Sequence, residues 1–121
     1  PILHPEFFDL YQEKILGELI PSPESCLVLL VAAVGSVAQC PSITSALTER
    51  PDACYIQKAL SMLPNVHFEF GLRSVQCLVM LSIYYKYLAK PCQAHDYVLM
   101  ASLKAQALFK WYVSNVYQRA I

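Results

Sequence analysis

Apolar positions recur at helical spacing along nearly the whole chain, and prolines cut the pattern into segments. In the first segment Phe8, Tyr11, Ile15 and Leu19 stand three or four residues apart, with Leu16 beside them. That spacing describes one face of a helix. Pro5 can open it, Glu6 and Asp9 suit the positive end of its dipole, and Pro21 and Pro23 end it. A second helix is predicted from Glu24 to about Gln39, ahead of Pro41. Ser22 is its N-cap, and Ser25 stands where a capping box would carry Glu. Ala32, Ala33, Gly35 and Ser36 give this helix small side chains. Glycine inside a helix costs about 1 kcal/mol relative to alanine, so a closely packed neighbour is the expected reason for Gly35.

The stretch PSITSALTER reads as a connector with room for a short helical turn. A third helix starts with Pro51 and Asp52, carries Ala53, Ile56, Ala59, Leu60 and Leu63, and is expected to stop at Pro64. PNVHFEFG then reads as a loop whose Val66, Phe68 and Phe70 can tuck under the domain. The fourth helix, about Leu72 to Leu88, is apolar on every side, as befits a helix surrounded by protein or lipid. The fifth opens with Pro91 and continues past Leu108. Ala94, Ala101 and Ala105 form its small stripe, beside Tyr97, Val98 and Leu108. Lys104, Lys110 and Arg119 are expected toward its negative end. The short break before Pro91 makes the fourth and fifth helices antiparallel neighbours. Alternating strand patterns and internal repeats are absent. The predicted fold class is all-α, antiparallel helical hairpins of five to six helices.

Composition narrows the setting. The 121 residues suffice for one domain with a sizeable core, and a start at Pro1 leads us to expect a piece of a longer protein. Charged residues make up 15% of the chain, against about 25% in ordinary soluble domains. Such a surface calls for further chain or partners to cover it. Nine basic residues balance nine acidic ones and stand singly, which is not the clustered charge of a nucleic-acid surface. The apolar run Cys26–Ala38 would span roughly 20 Å as a helix, short of a ~30 Å hydrocarbon core, so no membrane partner is expected. Cysteines stand at 26, 40, 54, 77 and 92, odd in number and without C-x-x-C spacing. They read as reduced, mostly buried thiols rather than a disulfide framework or zinc ribbon.

Candidate chemistry is sparse. His95 and Asp96 are sequence neighbours, and adjacent helical residues do not face each other. They read as a polar pair near a helix start, with Asp96 exposed and His95 half-buried. His4 and His67 fall in predicted loops without a ligand partner one turn away, and a metal site needs three or four convergent ligands. Ser82 and Ser102 lack a nucleophile-elbow context, and no glycine-rich phosphate loop exists. No catalytic, cofactor-binding or metal residue is assigned. Tyr84, Tyr85 and Tyr87 point phenols in successive directions around one helix. Helix packing with satisfied hydroxyls is the first expectation. The alternative is a small-molecule pocket lined by one of them with Cys77 or Met80. The candidate pocket or packing residues are therefore Cys77, Met80, Tyr84, Tyr85 and Tyr87.

The stretch SVQCLVMLSIYYKYLAKPCQAHDYVLMASLKAQAL resembles the fungal-specific transcription factor domain. This is the middle, regulatory region of fungal regulators that carry an N-terminal zinc binuclear cluster, as in xylanolytic-activator-type proteins. Ser74, Leu78, Leu81 and Tyr84 match its serine-led, leucine-rich helix, and Ala94, Ala101, Ala105 and Leu108 its following alanine pattern. PILHPEFFDLY is similar to the family opening through Pro1, Leu3, His4 and Phe8; LVLLVAAVGSVA and YIQKALSML resemble its next two helices. The resemblance covers about residues 1–108. His95 stands where the family usually has Trp, Leu103 where Arg is common, and Phe109-Lys110 in place of a Gly-Leu-His close.

The resemblance implies that residues 1–121 form a single all-helical fragment of a larger helical regulatory domain. It implies a nuclear regulator of RNA polymerase II transcription, with no catalysis in this fragment. DNA contact and zinc would belong to a cysteine cluster outside these residues, and no cofactor is expected within them. A second copy, a small-molecule inducer and a transcriptional co-regulator are the implied partners. Two alternatives stand beside this reading: a helical interaction scaffold unrelated to transcription, and a small helical enzyme or carrier.

Overall fold

Two serines start the first two helices. Ser22 Oγ accepts the Ser25 N–H at 3.1 Å, and Ser42 Oγ accepts the Ser45 N–H at 3.1 Å, so each satisfies one free amide of a helix N-terminus. The computed structural model describes residues 20–120; the predicted first helix and His4 lie outside the described residues. Five helices follow: α1 (Pro23–Ala38), α2 (Ile43–Glu49), α3 (Ala53–Phe68), α4 (Leu72–Tyr87) and α5 (Pro91–Ala120). No strand occurs among the described residues, and the fold is all-α.

The helix α4 is the axis. The helices α1 and α5 pack along it, and α1 also packs along α3. Side-chain hydrogen bonds give the directions. Ser74 Oγ donates to the Val66 carbonyl at 2.8 Å near the start of α4, whereas Tyr84 near its end meets Asp52 just before α3, so these helices are antiparallel. Ser82 Oγ donates to the Ala94 carbonyl at 2.8 Å, which pins the antiparallel α4–α5 hairpin. By contrast α1 runs parallel to α4: Pro23 meets Cys77, and Val37 lines a cavity with Tyr87. Leu29, Leu30, Ala33, Ile56, Ala59, Met62, Leu81 and Tyr84 form the core between them.

Several expectations change. PSITSALTER contains a seven-residue helix rather than a single turn. The helix α3 does not stop at Pro64 but continues to Phe68. A proline inside a helix costs about 3 kcal/mol or more. Here Met62 and Val66 on either side of Pro64 are both buried, and Ser74 holds the Val66 carbonyl, so tertiary packing outweighs the local penalty. His67 is thus a last-turn helical residue, not a loop residue. Val66 tucks into the core while Phe68 and Phe70 stay exposed. Lys104 is not at the negative end of α5, because that helix runs on to Ala120; its ammonium instead donates to the His67 carbonyl, completing the end of α3. Gly35 is exposed, and a Cβ added there would meet nothing within 4 Å, so no described neighbour accounts for it. Only Cys26 and Cys77 are buried; Cys40 is half-buried, and Cys54 and Cys92 lie on outer helix faces.

The α4–α5 turn carries a measurable strain. Ala89 has φ of 56°, the left-handed region, and Lys90 N–H bonds back to the Tyr85 carbonyl at 2.9 Å. This turn geometry normally takes glycine. A side chain in the left-handed region costs roughly 1–2 kcal/mol, partly offset by the extra freedom of glycine in the unfolded chain. Ala89→Gly is therefore expected to stabilise the protein by about 0.5–1 kcal/mol in urea denaturation. A loss of stability would contradict this account of the turn.

Candidate functional site

Asp52 is fully buried, and a buried carboxylate must be paired. It stands at the start of α3 in helical conformation and makes no cap hydrogen bond; its two oxygens turn elsewhere. Arg50 Nε donates to Oδ1 and Nη2 to Oδ2, each at 3.3 Å, a two-pronged grip of the planar guanidinium. Tyr84 Oη donates to Oδ2 at 2.5 Å, and Arg50 Nη2 reaches Tyr84 Oη at 3.4 Å. Arg50 takes a left-handed backbone, φ 51° and ψ 55°, as α2 ends. This bend brings the guanidinium back over Asp52 across Pro51. The bond to Asp52 raises the pKa of Arg50.

From this cluster a row of phenols leads outward. Tyr84 meets Tyr85 edge-on with ring centres 5.1 Å apart, and Tyr85 stacks on Tyr97 of α5 at 5.5 Å and 1°. Burial raises the pKa of Tyr85 and Tyr97. Tyr97 borders a groove of about 460 Å³ between α3 and α5, with Leu60, Leu63, His67, Asp96 and Met100 among its walls. That volume falls in the range of small-molecule sites, roughly 300–1,000 Å³. The bridge from Lys104 to the His67 carbonyl links its two helices, and burial lowers the pKa of Lys104. His67 Nδ1 is buried without a hydrogen-bond partner.

The residues singled out from the sequence divide between core and surface. Cys77 and Tyr84 are buried, Met80 and Tyr85 pack against the core, and Tyr87 is exposed beside a second cavity with Ile83 and Lys86. Cys77 of α4 and Cys26 of α1, distant in sequence, meet in the core. Cys77 Sγ donates to the Pro23 carbonyl at 3.4 Å and Cys26 Sγ to the Ala59 carbonyl at 3.6 Å. Their mutual contact lowers the pKa of Cys26, whereas the same contact and burial raise that of Cys77. Asp96 is exposed as expected, but His95 is exposed rather than half-buried, because it lies on the outer face of α5. Among the described residues no three His, Cys, Asp or Glu converge as metal ligands, and no helix is long and apolar enough to cross a membrane. Arg50, Asp52 and Tyr97 were not singled out. Asp52 sits in a polar-looking TERPD stretch, and nothing in that spelling marks a fully buried carboxylate.

No family model matches the chain, and no solved structure matches it. The chain is similar to a curated protein of Aspergillus rugulosus named "Putative transcription factor ecdB", 48% identical over 110 residues. The match takes in 91% of this chain and 19% of that relative, so the chain spans about a fifth of the relative's length.

Burial first, and then the hydrogen bond to Asp52, raise the pKa of Tyr84 above its ordinary value of 10.0. A raised folded-state pKa gives stability that is complete below the unfolded value and is lost as pH rises beyond it. Thermal stability is therefore expected to fall above about pH 10, where the unfolded chain releases phenol protons that the native state retains. Tyr84→Phe should cost about 1–3 kcal/mol at neutral pH by stripping a donor from a buried carboxylate, and should also flatten the alkaline decline. A neutral-pH stability equal to that of the parent chain would show that the Asp52–Tyr84 bond contributes nothing.

Proposed function

We propose that this chain is a piece of the regulatory, non-DNA-contacting region of a fungal zinc-cluster transcription factor, acting in the nucleus on RNA polymerase II transcription. The observation that carries the reading is the 48% identity to a relative named as a transcription factor, which extends over 91% of the chain. The order of motifs from Pro1 to Leu108 agrees with that assignment. DNA contact and zinc ligation belong, on this reading, to a domain outside these residues. The balanced, scattered charge favours such a division of labour, since phosphate binding needs clustered cations.

Regulation needs an element with two arrangements whose balance a ligand or partner shifts. The α3–α5 groove is the candidate seat of a small-molecule inducer on this reading. A ligand against Tyr97 presses on Tyr85 and, through it, on Tyr84 and the Asp52 cluster at the α2–α3 junction. A second reading, a helical interaction scaffold outside transcription, draws on the C-terminal part of α5 from Phe109 onward. There Phe109, Trp111, Tyr112, Val116 and Tyr117 are exposed, more apolar area than a free helix end ordinarily shows.

Two measurements test the proposal together. The parent protein upstream of Pro1 is expected to contain six cysteines in a basic segment. In fluorescence anisotropy at low salt the present chain is expected to leave labelled duplex DNA unbound, whereas the parent protein binds it. A parent without the cysteine-rich segment, or duplex affinity residing in this chain, would overturn the assignment.

A further inference from the structure

The α3–α5 groove contains one group that its own walls leave unanswered. His67 borders it, and the imidazole Nδ1 is buried with no hydrogen-bond partner. Buried polar atoms are paired in the large majority of cases, and an unpaired one carries a desolvation penalty that a ligand can relieve. The remaining walls are mostly apolar. Leu60, Leu63, Pro64 and Met100 supply them, and Gln93 and Asp96 stand exposed at the rim. Tyr97 adds a ring whose orientation is already fixed, stacked on Tyr85 with centres 5.5 Å apart and planes 1° apart.

We infer that this groove takes an uncharged aromatic alcohol of the phenol type, with its ring against Tyr97 and its hydroxyl on His67 Nδ1. The inference rests on the reading of the groove as a ligand seat and adds the chemical class of the ligand. Apolar walls favour a hydrophobic body, and the fixed Tyr97 ring favours a flat one. The cavity of about 460 Å³ has room for two fused rings. Nδ1 calls for one polar group. A hydroxyl both donates and accepts, so it satisfies Nδ1 whichever ring nitrogen carries the proton, whereas a carboxylate only accepts and fits one tautomer. A half-turn of the imidazole exchanges Nδ1 with Cδ2, so the ring can change the side on which it offers this nitrogen without backbone movement. Charge points the same way. Asp96 on the groove wall repels an anion, and the ammonium of Lys104 already donates to the His67 carbonyl.

The test titrates the full chain with 2-naphthol, naphthalene and 2-naphthoate, read by equilibrium dialysis. Naphthol is expected to bind roughly five- to tenfold tighter than naphthalene, the worth of one hydrogen bond. A plain apolar groove would reverse that order, because naphthalene is the more apolar. Naphthoate should bind more weakly than naphthol, and Asp96→Asn should narrow the gap. His67→Phe should abolish the preference for naphthol and leave naphthalene binding in place. Its thermal midpoint should not fall, because the lost nitrogen made no bond. In methyl NMR, naphthol should shift Met100 and leave Met80, which is not among the groove walls, unmoved. Naphthalene binding as tightly as naphthol, a preference that survives His67→Phe, or binding that leaves Met100 unshifted would each overturn the inference. If none of the three probes binds, the groove is not a seat for such ligands and the inference falls. The transcription reading is decided separately, by the upstream cysteines and the duplex assay.

Discussion

A single buried carboxylate constrains how the helices meet. Asp52 has no access to solvent, so its charge must be answered from within. Arg50 answers from the end of α2 and Tyr84 from the end of α4. Three elements are thereby tied at one corner: the turn into α3, the left-handed exit from α2, and the last turn of α4. Breaking such a pair leaves an uncompensated charge in the interior, a cost of several kcal/mol that few single contacts match. The cluster therefore specifies the junction more than it adds net stability.

The second constraint is geometric. The helix α4 has neighbours on three sides, and polar side chains set its register against two of them: Ser74 on α3 and Ser82 on α5. Hydroxyls in these places are satisfied by backbone carbonyls, so their burial is not a penalty. Because α1 lies parallel to α4 and antiparallel to α3, the layers are not a simple run of hairpins. The parallel pair needs the crossover that α2 and α3 provide.

The stacked tyrosines connect these two constraints with the surface. Tyr84 belongs to the charge cluster, Tyr85 lies between, and Tyr97 borders the α3–α5 groove. Packed rings transmit displacement because interiors are dense and hold discrete arrangements. On the regulatory reading proposed above, this row is what would join the groove to the α2–α3 junction.

Much of the fold was legible in the order of residues. Helical periodicity, serine caps and the proline at the start of α5 located the helices, because these effects act within one turn and need no partner. The sequence by itself determined an all-helical chain and the antiparallel α4–α5 hairpin. Only the tertiary structure decided that α3 passes through Pro64, that Lys104 serves the end of α3 rather than its own helix, and that Cys26 meets Cys77. It alone revealed the Arg50–Asp52–Tyr84 cluster, whose members lie up to 34 residues apart. Burial and long-range pairing energies belong to the assembled molecule, and a local pattern cannot carry them.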